Sequence, residues 1–230
     1  MGLIPTLFIL GIDGAPRLWP MGIGASRPRA IQGVTGVPAR VELEWDDAGR
    51  LIESRFSIRP EPAWRRLTYV WREEVLERIR EFDPKLAELF GDEPATEEIW
   101  TWSGGRPVEV RNITNEDGSE TTREDWAWSD DGSSLTVTES SDRVLARNRV
   151  NLDARGRLIH SVREYTIDGS SKIIDLEWTP DDRLIAVRVR AGHGPELVIG
   201  FRWDERGRLI AQTRSDMPGV DVWQYEYDEP

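Results

Sequence analysis

The sequence predicts a mainly β fold: a curled antiparallel meander of repeated β-hairpins, with an inserted amphipathic helical segment packing on the sheet. Three observations predict it. An apolar strand end followed by a polar turn and a second strand recurs as WDDAGRLI from Trp45, LDARGRLI from Leu152, WTPDDRLI from Trp178 and WDERGRLI from Trp203, with degenerate copies WSGGRPV from Trp102 and WSDDGSSL from Trp128 and a further start, YDEP, at Tyr227. After Trp102 the pitch is steady, with steps of 26, 24, 26, 25 and 24 residues to Tyr227, which is one hairpin per repeat. Between Ile58 and Trp100 the repeat is interrupted and the apolar spacing turns helical.

Taken in chain order, Leu7–Leu10 is an apolar run with no basic residue before it, too short to span a bilayer and read as a buried strand. IDGAPRL at Ile12 is one more degenerate copy of the repeat, and the Gly/Pro-rich stretch to Pro38 reads as an irregular connection. Residues 1–58 thus form N-terminal strands and a connection. Residues 59–98 form the helical insertion, with Leu67, Trp71, Val75, Ile79 and Phe82 on one face and Glu73, Glu74, Glu77, Arg78 and Arg80 mostly on the other. Asp83-Pro84 reads as the cap of a second short helix carrying Leu86, Leu89 and Phe90. Residues 99–230 are hairpin repeats, all within a single domain of 230 residues.

Side chains of a strand alternate between faces. Leu43, Trp100, Trp126, Val150, Leu176, Phe201 and Tyr225 stand two residues before each turn aromatic or its substitute, and share its face. Glu44, Thr101, Asn151, Glu177, Arg202 and Glu226 fall between them and face water. The pattern predicts about a dozen strands, with Trp45, Trp102, Trp128, Trp178 and Trp203 buried on one face.

Composition limits the chemistry. There is no Cys, which excludes disulfides, thiolate nucleophiles and Cys-ligated zinc and permits the cytosol. Of the two His, His193 lies in a Gly-rich loop and His160 in a strand with Leu158, Val162 and Glu164 on its face. No nucleophile elbow, phosphate loop or metal-ligand spacing is present, so no catalytic residue, metal or cofactor is expected. The net charge of −12 is concentrated: residues 61–98 hold eleven acids against six bases, and 116–131 seven against one. That distribution disfavours nucleic acid and favours a basic protein partner.

The WDERGRLI, LDARGRLI and YEYDEP segments resemble the YD repeats of bacterial Rhs proteins, over Val41 to Ile58 and most of Trp126 to Tyr227. Such hairpins stack laterally into long coiled sheets that enclose a toxin domain. The chain departs from the pattern in using Trp for the first Tyr and Asp182 for the turn Gly, and it has too few repeats to enclose a toxin. The resemblance, together with the acidic segments, implies a non-catalytic, cytoplasmic immunity protein that neutralises a cationic bacterial toxin and contacts no membrane. The expected contacts are Glu73, Glu74, Glu77, Glu116, Asp117, Glu120, Glu124 and Asp125. A structural repeat scaffold or shell component, and a hydrolase or carbohydrate binder with an aromatic-lined concavity, are the alternatives.

Overall fold

The computed structural model describes residues 7–10, 16–19, 27–33, 39–58, 65–83, 91, 93–114 and 117–227. Strands β1 (Leu7–Leu10) and β2 (Pro16–Trp19) pair with each other. The next eight strands are β3 (Ala30–Gly33), β4 (Ala39–Trp45), β5 (Leu51–Ile58), β6 (Arg65–Arg72), β7 (Val75–Phe82), β8 (Thr96–Ser103), β9 (Arg106–Thr114) and β10 (Glu120–Trp128). They are followed by β11 (Ser134–Ser140), β12 (Val144–Leu152), β13 (Leu158–Tyr165), β14 (Ser171–Trp178), β15 (Leu184–Ala191), β16 (Leu197–Trp203), β17 (Leu209–Arg214) and β18 (Met217–Glu226). Strands β3 to β18 pair in chain order, each antiparallel to the next, and β18 returns to β3, closing a sixteen-stranded barrel.

The expected curled meander with an inserted helical segment is corrected to a closed barrel, and no helix occurs among the described residues. The segment read as an amphipathic helix is the β6–β7 hairpin, Tyr69 opposite Ile79 and Trp71 opposite Leu76. The second expected helix, with Leu86, Leu89 and Phe90, lies outside the described residues. The stretch up to Pro38 expected to be irregular contains β3, whereas β2 overlaps the IDGAPRL segment read as a degenerate copy of the repeat.

A closed single-layer barrel has one face toward its interior and one outward, so the face that loses its solvent is the inner one. Ile31, Val41, Leu51, Leu184 and Leu209 are fully or almost fully buried and, with Val150, Leu158, Leu176 and Phe201, form one apolar cluster. The outward positions between them carry charge, as at Glu42, Glu44, Arg147, Arg149, Arg188 and Arg202. A lipid-facing barrel wall carries an outward apolar band; here the apolar band is turned inward.

The turns of the repeat all fall at one end of the barrel. In three of them an Asp accepts the backbone N–H and the guanidinium of the Arg four residues on: Asp46 with Arg50, Asp153 with Arg157 and Asp204 with Arg208, the side-chain contacts at 2.6–2.7 Å. The backbone hydrogen bond from Arg208 holds the Asp204 carboxyl below the usual carboxylate range, although partial burial opposes it.

Each turn also grips the one before it. The indole N–H of Trp71 donates to the carbonyl of Leu51, that of Trp102 to Leu76, that of Trp178 to Leu158 and that of Trp203 to Leu184, at 2.7–2.9 Å. Trp45 donates likewise to Pro28, Trp128 to Pro107 and the Tyr227 hydroxyl to Leu209. These aromatics are half-buried and packed on the core, on one face as expected. Leu152 fills the equivalent place in the remaining hairpin and offers no donor.

Six hairpins carry a β-bulge just after the turn: Trp45 opposes Leu51 while Glu44 opposes Glu53, and the same shift follows Trp71, Trp102, Leu152, Trp178 and Trp203. The extra residue returns the third position after the leading Leu to the inner face. Leu51 and Ser54, Leu158 and Ser161, Leu184 and Val187, and Leu209 and Gln212 are therefore all buried. The bulge also parts His160 from Leu158, placing His160 outward, where its Nδ1 lies 2.6 Å from an Asp175 carboxylate oxygen.

Candidate functional site

Toward the end of the barrel opposite the aromatic turns, the inner face changes character. Midway along the strands the buried polar groups satisfy one another across adjacent strands: Ser54 with Tyr69 at 3.1 Å, Ser161 donating to Asn148 at 2.6 Å and Gln212 donating to the Tyr225 hydroxyl at 2.7 Å. Burial pushes the Tyr69 hydroxyl pKa up; the Ser54 hydrogen bond opposes this and the negative charge of nearby Glu98 adds to it.

Beyond that layer, carboxylates stand on the inner face. Glu98 lies opposite buried Ile79, Glu124 opposite buried Val110, and Glu139 opposite both Glu124 and buried Ala146. Residues directly opposite in an antiparallel ladder share a face, so all three point the way the core residues point. Beside them, two residues along the same strands from Glu98 and Glu124, are two inward indoles. Trp100 and Trp126 have ring centroids 5.9 Å apart and tilted by 58°, with Trp102 stacked 6.2 Å behind Trp100. The Trp126 indole N–H donates to Glu124 at 3.2 Å. Arg163, on the same face beside Asn148, pairs with Glu139 and lies over the Tyr165 ring. Lys172 is its cross-strand neighbour. Solvent still reaches this layer: the Glu139 side chain keeps 23 % of its exposure and Arg163 27 %.

The turns at this end are acidic. Their described residues include Asp83, Glu93, Asp117, Asp142, Asp168, Glu196 and Asp216, with Arg143 and the exposed His193 as the basic side chains. Hydrogen bonds from Ser119 to Asp117, from Ser170 to Asp168 and from Arg214 to Asp216 hold those carboxyls below the usual range and thus ionised near neutrality. Carboxylates, indoles and a ring of acids on one end make a site that attracts and desolvates positive charge.

The residues expected as partner contacts divide between the two ends. Glu73 and Glu74 form the β6–β7 turn at the aromatic end, and Glu77 beside them pairs with Arg72. Asp117 and exposed Glu120 lie at the acidic end, Glu124 faces inward and Asp125 faces outward against Arg123 at 2.8 Å. Glu116 lies outside the described residues. Glu98 and Glu139 were not among the expected contacts. Their signal was their place two residues, and an even number of residues, from inward side chains on the same strand. Among the described residues no cluster of His, Cys, Asp and Glu is arranged to hold a metal ion.

No protein-family model matches the chain, and no curated protein does. Its fold is similar to the crystal structure of a porin-like protein from Bacteroides vulgatus, with a TM-score of 0.54 and 12% identity over 88% of this chain and 99% of that one. A porin-like protein from Bacteroides uniformis matches with a TM-score of 0.41 and 8% identity, over 87% of this chain and 96% of that one. TcdB2-TccC3 without its hypervariable C-terminal region matches with a TM-score of 0.22 and 10% identity over 84% of this chain and 16% of that one.

The barrel overturns the immunity-protein expectation and its basic toxin partner. Residues 65–82 and 96–98 are wall strands rather than an inserted docking element, the acids are split between two ends and two faces, and the fold neighbour is porin-like. The expectations of a cytoplasmic chain and of no membrane contact fall with it. They leaned on the absence of Cys and on the shortness of the Leu7–Leu10 run, neither of which bears on a closed barrel of strands whose fold is similar to that of a porin-like protein.

Proposed function

We propose that this barrel is a binding module that takes a small organic cation into the carboxylate-lined half of its interior. The hairpins themselves we read as YD-type repeats, on the strength of the WDERGRLI and LDARGRLI turns. The observation that carries the cation reading is the placing of Glu98, Glu124 and Glu139 on the inner face beside the Trp100–Trp126 pair, with Arg163 balancing Glu139. Inward carboxylates cost desolvation that an apolar residue would avoid. Departures of this kind from consistent core packing concentrate at functional sites. A primary or quaternary ammonium would lay its carbons on the indole faces and its charge against Glu124 and Glu98. The acidic turns raise the local concentration of such a ligand.

Isothermal titration with spermidine and with choline, at low and moderate salt, tests the reading. Binding is expected for at least one of them and weakens as salt rises. Glu124→Gln lowers the affinity about tenfold, in line with the loss of one charge-assisted contact. Absence of binding by both ligands at millimolar concentration, or equal affinity in the Glu124→Gln and Glu139→Gln variants, contradicts it.

A further inference from the structure

Seven of the barrel's eight hairpins at the aromatic end have a covalent turn: the one between β4 and β5, and likewise those joining β6 to β7 and onward to β16 and β17. The eighth is formed by β18 and β3, which are far apart in sequence, and its parts nevertheless match the repeat position by position. Tyr227 is its turn aromatic, and its hydroxyl donates to the Leu209 carbonyl as each Trp donates to the preceding hairpin. Pro28 takes the place of the leading Leu, because its carbonyl accepts the Trp45 indole N–H as the Leu51 carbonyl accepts that of Trp71. Arg27 takes the place of the turn Arg. It lies against the next turn so closely that a Cβ on Gly49 would meet it at 1.7 Å, as Arg106 crowds Gly132 at 2.2 Å.

Four residue pairs hold the two halves together, Trp223 with Gly33 through Glu226 with Ala30. A paired contact from Arg40 to both Glu226 carboxylate oxygens, at 2.9 and 3.1 Å, reinforces them. None of these contacts depends on β18 and β3 belonging to the same molecule. Unjoined, each half is a repeat strand whose partner edge is identical in every copy of the chain, and an identical element exchanged between protomers is a low-cost route to association.

We propose that this split hairpin is an exchange site, at which β18 of one copy completes the hairpin with β3 of a second copy of this chain. The contact is head-to-tail: β18 of the first copy meets β3 of the second, whose own β18 either closes on the first or stays available to a third.

The absence of Cys gives a clean test. Gln32 and Gln224 lie directly opposite each other across the seam and both face outward. Q32C and Q224C are made as separate variants, unfolded in urea, mixed, refolded together and treated with a short thiol–thiol cross-linker. A cross-linked dimer holding one chain of each variant is expected, its share roughly doubling with each doubling of protein concentration while it is the minor species. Each single variant refolded alone gives the background, since no Cys then faces another across an exchanged seam. If the mixture cross-links no more than that background at any concentration at which the far-UV circular dichroism shows refolded β structure, the exchange is overturned. The double variant, first cross-linked within one chain, should refold as a monomer only. Dimers of the same abundance from that locked form place association elsewhere and also overturn it.

Discussion

At the scale of single residues, the indole N–H groups do as much to order the barrel as the indole rings do. Each turn indole spans from its own turn to a carbonyl at or near the start of the preceding return strand, and Arg157, Arg106 and Arg208 lie over the aromatic of the following turn at 5.0–5.5 Å. Trp was legible in the sequence as a buried, repeated aromatic. Its role as a lateral donor was not, because which carbonyl it meets depends on the stagger between neighbouring hairpins. Trp178→Phe keeps most of the ring and removes the donor to Leu158. It should lower stability by about 1 kcal/mol, the usual worth of one hydrogen bond, while Trp178→Ala should cost about 3 kcal/mol or more through the added cavity. Urea unfolding of the two variants checks this. Equal loss in both would mean that the hydrogen bond, and not the packed ring, accounts for the whole effect.

At the scale of elements, the hairpins from Trp126 onward and at Trp45 were readable from their pitch and alternation, and β6–β7 was not. The expected face of Leu67, Trp71, Val75, Ile79 and Phe82 ran across a turn: Leu67, Trp71 and Ile79 do point inward, but Val75 pairs with Arg72 at the turn and Phe82 lies opposite outward Arg66. The bulge after that turn adds to the resemblance to a helix, because it puts the inward residues Leu76 and Ile79 three apart. A contrary signal was present: Trp71 follows Trp45 by 26 residues, the pitch of the later repeats. The inner carboxylates were hidden for a related reason. Acids summed by sequence window single out Glu124 together with outward Asp125, whereas only the face each residue occupies separates them, and Glu139 lies outside the acidic windows altogether. The β6–β7 turn offers an element-scale prediction. Glu73 holds the left-handed position, with φ of 54°, that Gly104 holds in the β8–β9 turn, two residues after its Trp and with φ of 57°. Glu73→Gly should therefore raise stability by about 1 kcal/mol, read as a higher urea midpoint at unchanged slope. A lower midpoint would mean that the residue is not in a turn of this kind, as would be the case in a helix.

At the scale of the whole molecule, sequence periodicity gives the repeat unit and its buried face but not whether the meander closes. Closure depends on accumulated twist and stagger over sixteen strands, and on complementary half-hairpins at two distant places in the chain, neither of which reads as a full repeat. Among the described residues, Arg27-Pro28 has no turn directly before it and Tyr227 is paired with no return strand of its own. Closure is also what gives the carboxylates of β8, β10 and β11 a common interior rather than the concave side of an open sheet. The measurement that tests this most directly uses the Q32C/Q224C double variant, folded natively at low concentration and treated with the short thiol–thiol cross-linker. The closed barrel predicts rapid cross-linking within one chain, at monomer mass and with the circular dichroism unchanged. An open sheet holds the two edges apart, and failure of the natively folded monomer to cross-link within the chain would contradict the closed barrel.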